Sequence, residues 1–184
     1  HYRCPKSNVY PVIKSNAYGH GMEHIARAII GSHTKIAGFA VATVHEAFEL
    51  HDLDLGKPIM LLNGVVSLDE LIFCLDKSIE VVIHSHYQVE MAIRAIEAEL
   101  FSGKIKLWVK MNSGMNRLGL SALDTSDAFS RLYALPNTEP VLMSHLAYAD
   151  DMGNQDSESF TEKQMEKFIT VRDYLQESCE GKLE

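Results

Sequence analysis

Short, nearly unbroken apolar runs alternate along this chain with longer stretches whose apolar positions recur every three or four residues. The runs 9–14 (VYPVIK), 36–42 (IAGFAVA), 58–62 (PIMLL), 80–83 (EVVI), 104–111 (KIKLWVKM) and 141–146 (VLMSHL) have the length and side-chain types of strands. The stretches 23–30, 44–53, 68–76, 88–100, 126–135 and 161–176 have the spacing of amphipathic helices. Strands apolar on both faces belong to parallel sheets covered by helices, and regular alternation with helices implies right-handed βαβ units. The expectation is therefore an α/β fold of about six βα units, either an open doubly wound sheet or part of a (β/α)8 barrel, which six units are too few to close. The polar stretch 150–159 (DDMGNQDSES) predicts a long loop beyond a strand end.

Composition narrows the class. The 184 residues are 46% hydrophobic and 23% charged, which excludes a disordered or low-complexity chain and predicts one domain over 1–184. A net charge of −8 leaves no diffuse basic footprint for nucleic acid or for an anionic membrane surface. The apolar runs are far shorter than the roughly 18 residues of a membrane span. The opening residues lack the basic head and apolar run of a signal peptide. Cys4, Cys74 and Cys179 are odd in number and widely spaced, which predicts a reducing, cytoplasmic setting without a disulfide framework.

Chemistry concentrates after three of the strands. KSNAYGHG, beginning at Lys14, reads as a strand-end lysine followed by a turn with Asn16, Gly19 and Gly21, residues that serve unusual dihedrals. Strand C-termini carry the sites of parallel α/β folds, and a lysine amine there is a nucleophile toward aldehydes where its surroundings favour the neutral form. Tyr18 is placed to hydrogen-bond an anionic ligand. A second segment, KMNSGMNRLG, sets Lys110 and Arg117 around a sharp turn, where both cations could hold an acidic ligand. In a third, MSHLAYADD, the His145 ring could stack on a planar group. Each of these residues taken singly is more ordinary as a solvated cation or a packing residue. His20 and His24, and the pair His84 and His86, do not supply the three or four convergent ligands of a zinc centre, so no metal site is expected.

Together the three segments resemble alanine racemases, pyridoxal-phosphate (PLP) enzymes of fold type III. KSNAYGHG stands for the family's K-[AS]-N-A-Y-G-H-G, residues 110–119 for its K-x-[DN]-[ST]-G-M-x-R-[LIV]-G, and residues 144–150 for its S/T-H-[LF]-A-x-A-[DE]. The resemblance implies a TIM-type PLP-binding barrel, incomplete here. It implies that Lys14 carries PLP covalently and serves as one of two bases at the substrate Cα. Tyr18 contacts the cofactor phosphate, His145 packs against its ring and Leu62 lines the pocket. Arg117 lies beside the substrate carboxylate. Lys110 supports that arginine and, when carbamylated, loses its positive charge. Asn112 stands where many members carry aspartate. The second base is implied to be a tyrosine from the C-terminal domain of a second subunit, and so a homodimer. The family's first strand and helix, its last two barrel units and its C-terminal β domain have no counterpart in these residues, and this chain alone is expected to be inactive. The function implied is L-alanine and D-alanine interconversion, supplying D-alanine for cell-wall synthesis. A non-catalytic PLP-carrying barrel of cofactor homeostasis is the alternative, and a decarboxylase of the same barrel class shares the lysine without these motifs.

Overall fold

The structure is a computed structural model that describes residues 7–32, 35–100, 103–151 and 153–179. The chain divides into two compact units, with the boundary between Val82 and Ile83. Cys4 lies outside the described residues.

The first unit begins with extended chain rather than the expected regular strand over 9–14. Val12 makes an isolated parallel bridge to Ala40. Backbone bonds run from Ala37 N–H to Val9 O, from Ala40 N–H to Pro11 O and from Ile13 N–H to Ala40 O, each 2.9 Å. Pro11 has no N–H to contribute, which keeps this segment a fringe of its neighbour rather than a full strand. There follow α1 (Lys14–Tyr18), α2 (Met22–Gly31), β1 (Phe39–Val41), α3 (Val44–Asp52), β2 (Ile59–Leu61), α4 (Leu68–Asp76) and β3 (Glu80–Ile83). The strands are parallel, with Phe39 opposite Ile59, Val41 opposite Leu61, and Leu61 opposite Val81. All residues of β1, β2 and β3 are buried, as a sheet covered on both faces requires. Thr43 caps α3 in a reciprocal box with Glu46, and Ser67 caps α4 through Glu70 N–H. Gly38 must be glycine: a Cβ there would lie 2.5 Å from both Pro58 O and the Tyr10 ring.

The second unit contains α5 (His86–Glu97), β4 (Ile105–Lys110), α6 (Ala122–Tyr133), β5 (Thr138–Met143) and α7 (Gln155–Ser178). Strands β4 and β5 run parallel in register over six pairs, from Ile105–Thr138 to Lys110–Met143. Helix α6 packs on both strands and α7 packs on α6, burying Leu107, Val109, Phe129, Leu132, Val171 and Leu175. Several boundaries differ from the periodicity. Helix α6 starts four residues before 126, because Ser121 accepts from Asp124 N–H and starts the helix there. Strand β5 starts and ends three residues earlier than 141–146, which releases His145 into the following loop. Helix α7 begins at Gln155, so half of the expected loop 150–159 is helix: Asn154 accepts from Asp156 N–H and Ser157 N–H, and Asp156 and Glu158 favour the first turn electrostatically. Cys74 and Cys179 are buried free thiols.

Candidate functional site

Each unit places one group of the residues singled out above. In the first unit the group is built on α1, which is not a right-handed helix. Ser15, Asn16, Ala17 and Tyr18 have φ of 52–53°, and the first three have ψ of 48–49°. This is one turn of left-handed helix in ordinary L-residues, costing about 1–2 kcal/mol for each. Lys14 therefore heads a mirror-image turn, where the sequence suggested a plain strand end.

The strain persists because hydrogen bonds over-determine the turn. Within it, Ala17 N–H donates to Ile13 O, Gly19 N–H to Ser15 O and Gly21 N–H to Asn16 O, at 2.9–3.0 Å. The Asn16 side chain accepts from Met22 N–H at 2.7 Å, tying the turn to the start of α2. From outside, Glu46 accepts from Ser15 N–H at 2.6 Å with one oxygen. Its other oxygen accepts from Ala42 N–H at 2.8 Å and Thr43 N–H at 3.1 Å. One carboxylate thus clamps the backbone after Lys14 to the N-terminus of α3. The sequence reading missed Glu46, although Thr43-x-x-Glu46 is a legible capping box. Ala17 is buried, Lys14 is half-buried and Tyr18 is 61% exposed, the lysine and the tyrosine standing about one turn apart along the chain. His20 Nδ1 lies 3.0 Å from Ala17 O and so serves the turn. Leu62, half-buried, follows β2 and donates its N–H to Val41 O at 2.8 Å.

In the second unit the loop after β4 closes on itself. Asn112 N–H donates to Leu120 O at 2.8 Å, and Leu120 N–H to Lys110 O at 2.9 Å. Gly119 (φ 124°) allows this closure: a Cβ there would sit 2.6 Å from Asn112 N and 2.8 Å from the Met111 carbonyl carbon. The Asn112 side-chain oxygen accepts from Gly114 N–H and Asn116 N–H, and its amide donates to Asn116 Oδ1 at 2.9 Å. An amide at 112 thus organises the turn that carries Arg117. The two cations of this segment part company: Lys110 is 5% exposed at the end of β4, whereas Arg117 is exposed on the loop.

The loops after β4 and β5 are brought together. Ser113 and Ser144 hydroxyls meet at 2.7 Å, and Ser144 donates to Met111 O at 2.9 Å. Gln164 of α7 reaches both loops, through Ser113 Oγ and His145 O. Tyr148 stacks edge-on against Phe160 of the same helix at 5.4 Å. The His145 side chain is exposed beside this anchored backbone. His84 and His86 follow the end of β3, as expected, and flank Ser85, the N-cap of α5. Among the described residues no three His, Cys, Asp or Glu side chains converge to hold a metal, and no helix is long and apolar enough to cross a membrane.

The family model described as "Alanine racemase, N-terminal domain" matches residues 1–183. An alanine racemase from Actinobacillus succinogenes is 33% identical over 171 residues, covering 92% of this chain and 45% of that protein. One from Xylella fastidiosa is 40% identical over 144 residues, covering 78% and 38%. The crystal structure of biosynthetic alanine racemase from Pseudomonas aeruginosa superposes with a TM-score of 0.80 at 31% identity, covering 93% of this chain and 45% of that one. The alanine racemase structure from Acinetobacter baumannii gives 0.79, also at 31% identity, covering 92% and 47%. The chain therefore spans less than half the length of the relatives it matches, and its α/β fold is that of an incomplete barrel.

Proposed function

The chain belongs to the alanine racemase N-terminal domain family, and from that premise we propose that it is the cofactor-carrying portion of a PLP-dependent enzyme interconverting L-alanine and D-alanine. The observation that carries this reading is Lys14 at the head of a strained turn held in place by Glu46 and by Asn16. Strain maintained by convergent hydrogen bonds marks a backbone kept for a task.

The donor set fits PLP. The amine of half-buried Lys14 matches an aldehyde, and the exposed Tyr18 phenol about one turn along the chain matches a phosphate. Open space around Gly19 leaves room beside them. When bound, PLP supplies an electron sink for the pair left when Cα loses its proton. Lys14 would hold the cofactor, and its amine would move the Cα proton on one face. Tyr18 donates its hydroxyl to the phosphate. The resemblance assigns Leu62 to the lining of the cofactor's pocket, and the His145 ring would help hold the cofactor. Arg117 presents a guanidinium fork to the substrate carboxylate, and Lys110, its charge removed by carbamylation, supports that arginine. The opposite face needs a second acid–base group, which the resemblance gives to a tyrosine of a second subunit. The unit we propose is accordingly a cytoplasmic homodimer whose D-alanine enters the cell wall.

Borohydride reduction of the chain with PLP, followed by peptide mapping, tests the reading. We expect a phosphopyridoxyl label on Lys14 and none in Lys14→Ala; a label on a different lysine overturns it. In the active enzyme Lys14→Ala should abolish exchange in both directions. Arg117→Ala should slow it by about 10²–10³, the loss seen when one charge-stabilising donor is removed. Greater activity in Lys14→Ala than in Arg117→Ala would refute that ordering.

A further inference from the structure

We propose that Gln164 is a positioning residue whose single side-chain amide fixes the loop carrying Arg117 and the loop carrying His145 to one another. The assignment of those two residues to a PLP site rests on the function proposed above; the role of Gln164 rests on geometry alone. Gln164 is 1% exposed, although it is an amide on a helix. Its nitrogen donates to Ser113 Oγ at 3.1 Å and to His145 O at 3.0 Å, and its oxygen accepts from Ala147 N–H at 2.9 Å.

Chemistry fixes the direction of every bond. The Ala147 N–H can only donate and the His145 carbonyl can only accept, so the amide cannot be flipped. Ser144 donates to Met111 O, which leaves its oxygen to accept from Ser113. Ser113 in turn accepts from Gln164. The result is a one-way relay from α7 through both loops to the end of β4. Gly114 fits beneath it, for a Cβ there would meet Gln164 Cγ at 3.2 Å and Phe160 at 3.4 Å. A residue needed only for packing would not require an amide here, since a methionine fills the same space. A buried amide with three of its four bonds made is instead a device for holding geometry.

Two variants separate the halves of the amide. Gln164→Met removes all three bonds at nearly constant volume. Gln164→Glu keeps the acceptor for Ala147 N–H but loses the donors to His145 O and Ser113. Amide hydrogen exchange and histidine-selective NMR are read on the chain as it stands, without cofactor, with the His145 signals assigned by His145→Gln. Ala147 N–H should exchange about tenfold faster in Gln164→Met and near the parent rate in Gln164→Glu. The His145 ring signals should move in both variants. The proposal is overturned if the His145 signals stay in place in both. It is equally overturned if exchange rises alike across β4, α6 and Ala147, which would make Gln164 a packing residue. A failure of borohydride to label Lys14 would sink the functional reading and leave these outcomes untouched.

Discussion

Glu46 concentrates in one carboxylate what keeps the lysine-bearing turn in its unfavourable handedness. Both oxygens are committed to backbone N–H groups, so Glu46→Gln must turn an NH2 toward either Ser15 N–H or the Ala42 and Thr43 pair. The substitution is nearly isosteric, yet it should cost about 1–2 kcal/mol, in the range for losing a charge-assisted bond and part of a cap. Chemical unfolding of the variant checks the loss, and faster hydrogen exchange at Gly19 and Met22 would locate it at the turn. Unchanged stability would mean that the turn's own bonds suffice. Two glycines and an asparagine announced an unusual backbone in the sequence. They did not announce that Ser15, Ala17 and Tyr18 share it, because L-residues adopt this conformation only when tertiary bonds compel them. Gln164 left a fainter trace. It lies four residues after Phe160 and four before Phe168, followed by Val171 and Leu175, on what is otherwise an apolar stripe.

Helices were legible where their apolar faces begin at their first turn, as in α3 and α4. Helix α7 opens with a polar turn and α6 with a turn whose Leu123 faces solvent, and there periodicity starts late. Ser121 and Asn154 were the better signals, since a cap fixes the first turn whatever that turn's polarity. Between α5 and α6 the surface carries an arginine–carboxylate pair. Arg131 bonds Glu90 at 2.7 Å and lies 3.6 Å from Asp127. That hydrogen bond, followed by the charges of Arg131 and Arg94, holds the Glu90 carboxyl below its ordinary 4.5. A carboxyl lowered on folding adds stability above its ordinary value and loses it as pH falls through the lowered one. The pair is exposed, so the effect is small. Unfolding midpoints for Arg131→Met and its parent should therefore differ at neutral pH and converge as pH falls below the ordinary carboxylate range and through the lowered Glu90 value. A constant difference from pH 7 to 3 would show that Arg131 acts through packing alone.

At the scale of the molecule, parallel strands alternating with helices were foreseen from apolar runs, and the segment from Lys110 follows a strand as expected, whereas the segment from Lys14 follows only a bridged fringe and His145 lies in the loop beyond β5. What periodicity could not supply was the fringe character of residues 9–13. That follows from a proline whose missing N–H matters only once its neighbour is known. The matched relatives are more than twice as long as this chain. Racemisation needs proton transfer on both faces of Cα, and the residues proposed here serve one face. The purified 184-residue chain with added PLP should therefore show no turnover of D-alanine to L-alanine above the free-cofactor rate. Turnover near that of a full-length relative would mean that one of its own side chains serves the second face.

The left-handed turn at residues 15–18 has a stereochemical consequence. Its backbone is the one that D-residues favour, so an enzyme proposed to make D-alanine is itself built, at its cofactor lysine, on a stretch better suited to the opposite enantiomer. Ser15 is exposed, and its backbone N–H rather than its side chain holds Glu46. A semisynthetic chain with D-serine at that one position should keep every bond of the turn and shed about 1 kcal/mol of strain, raising the melting temperature by roughly 2–4 °C.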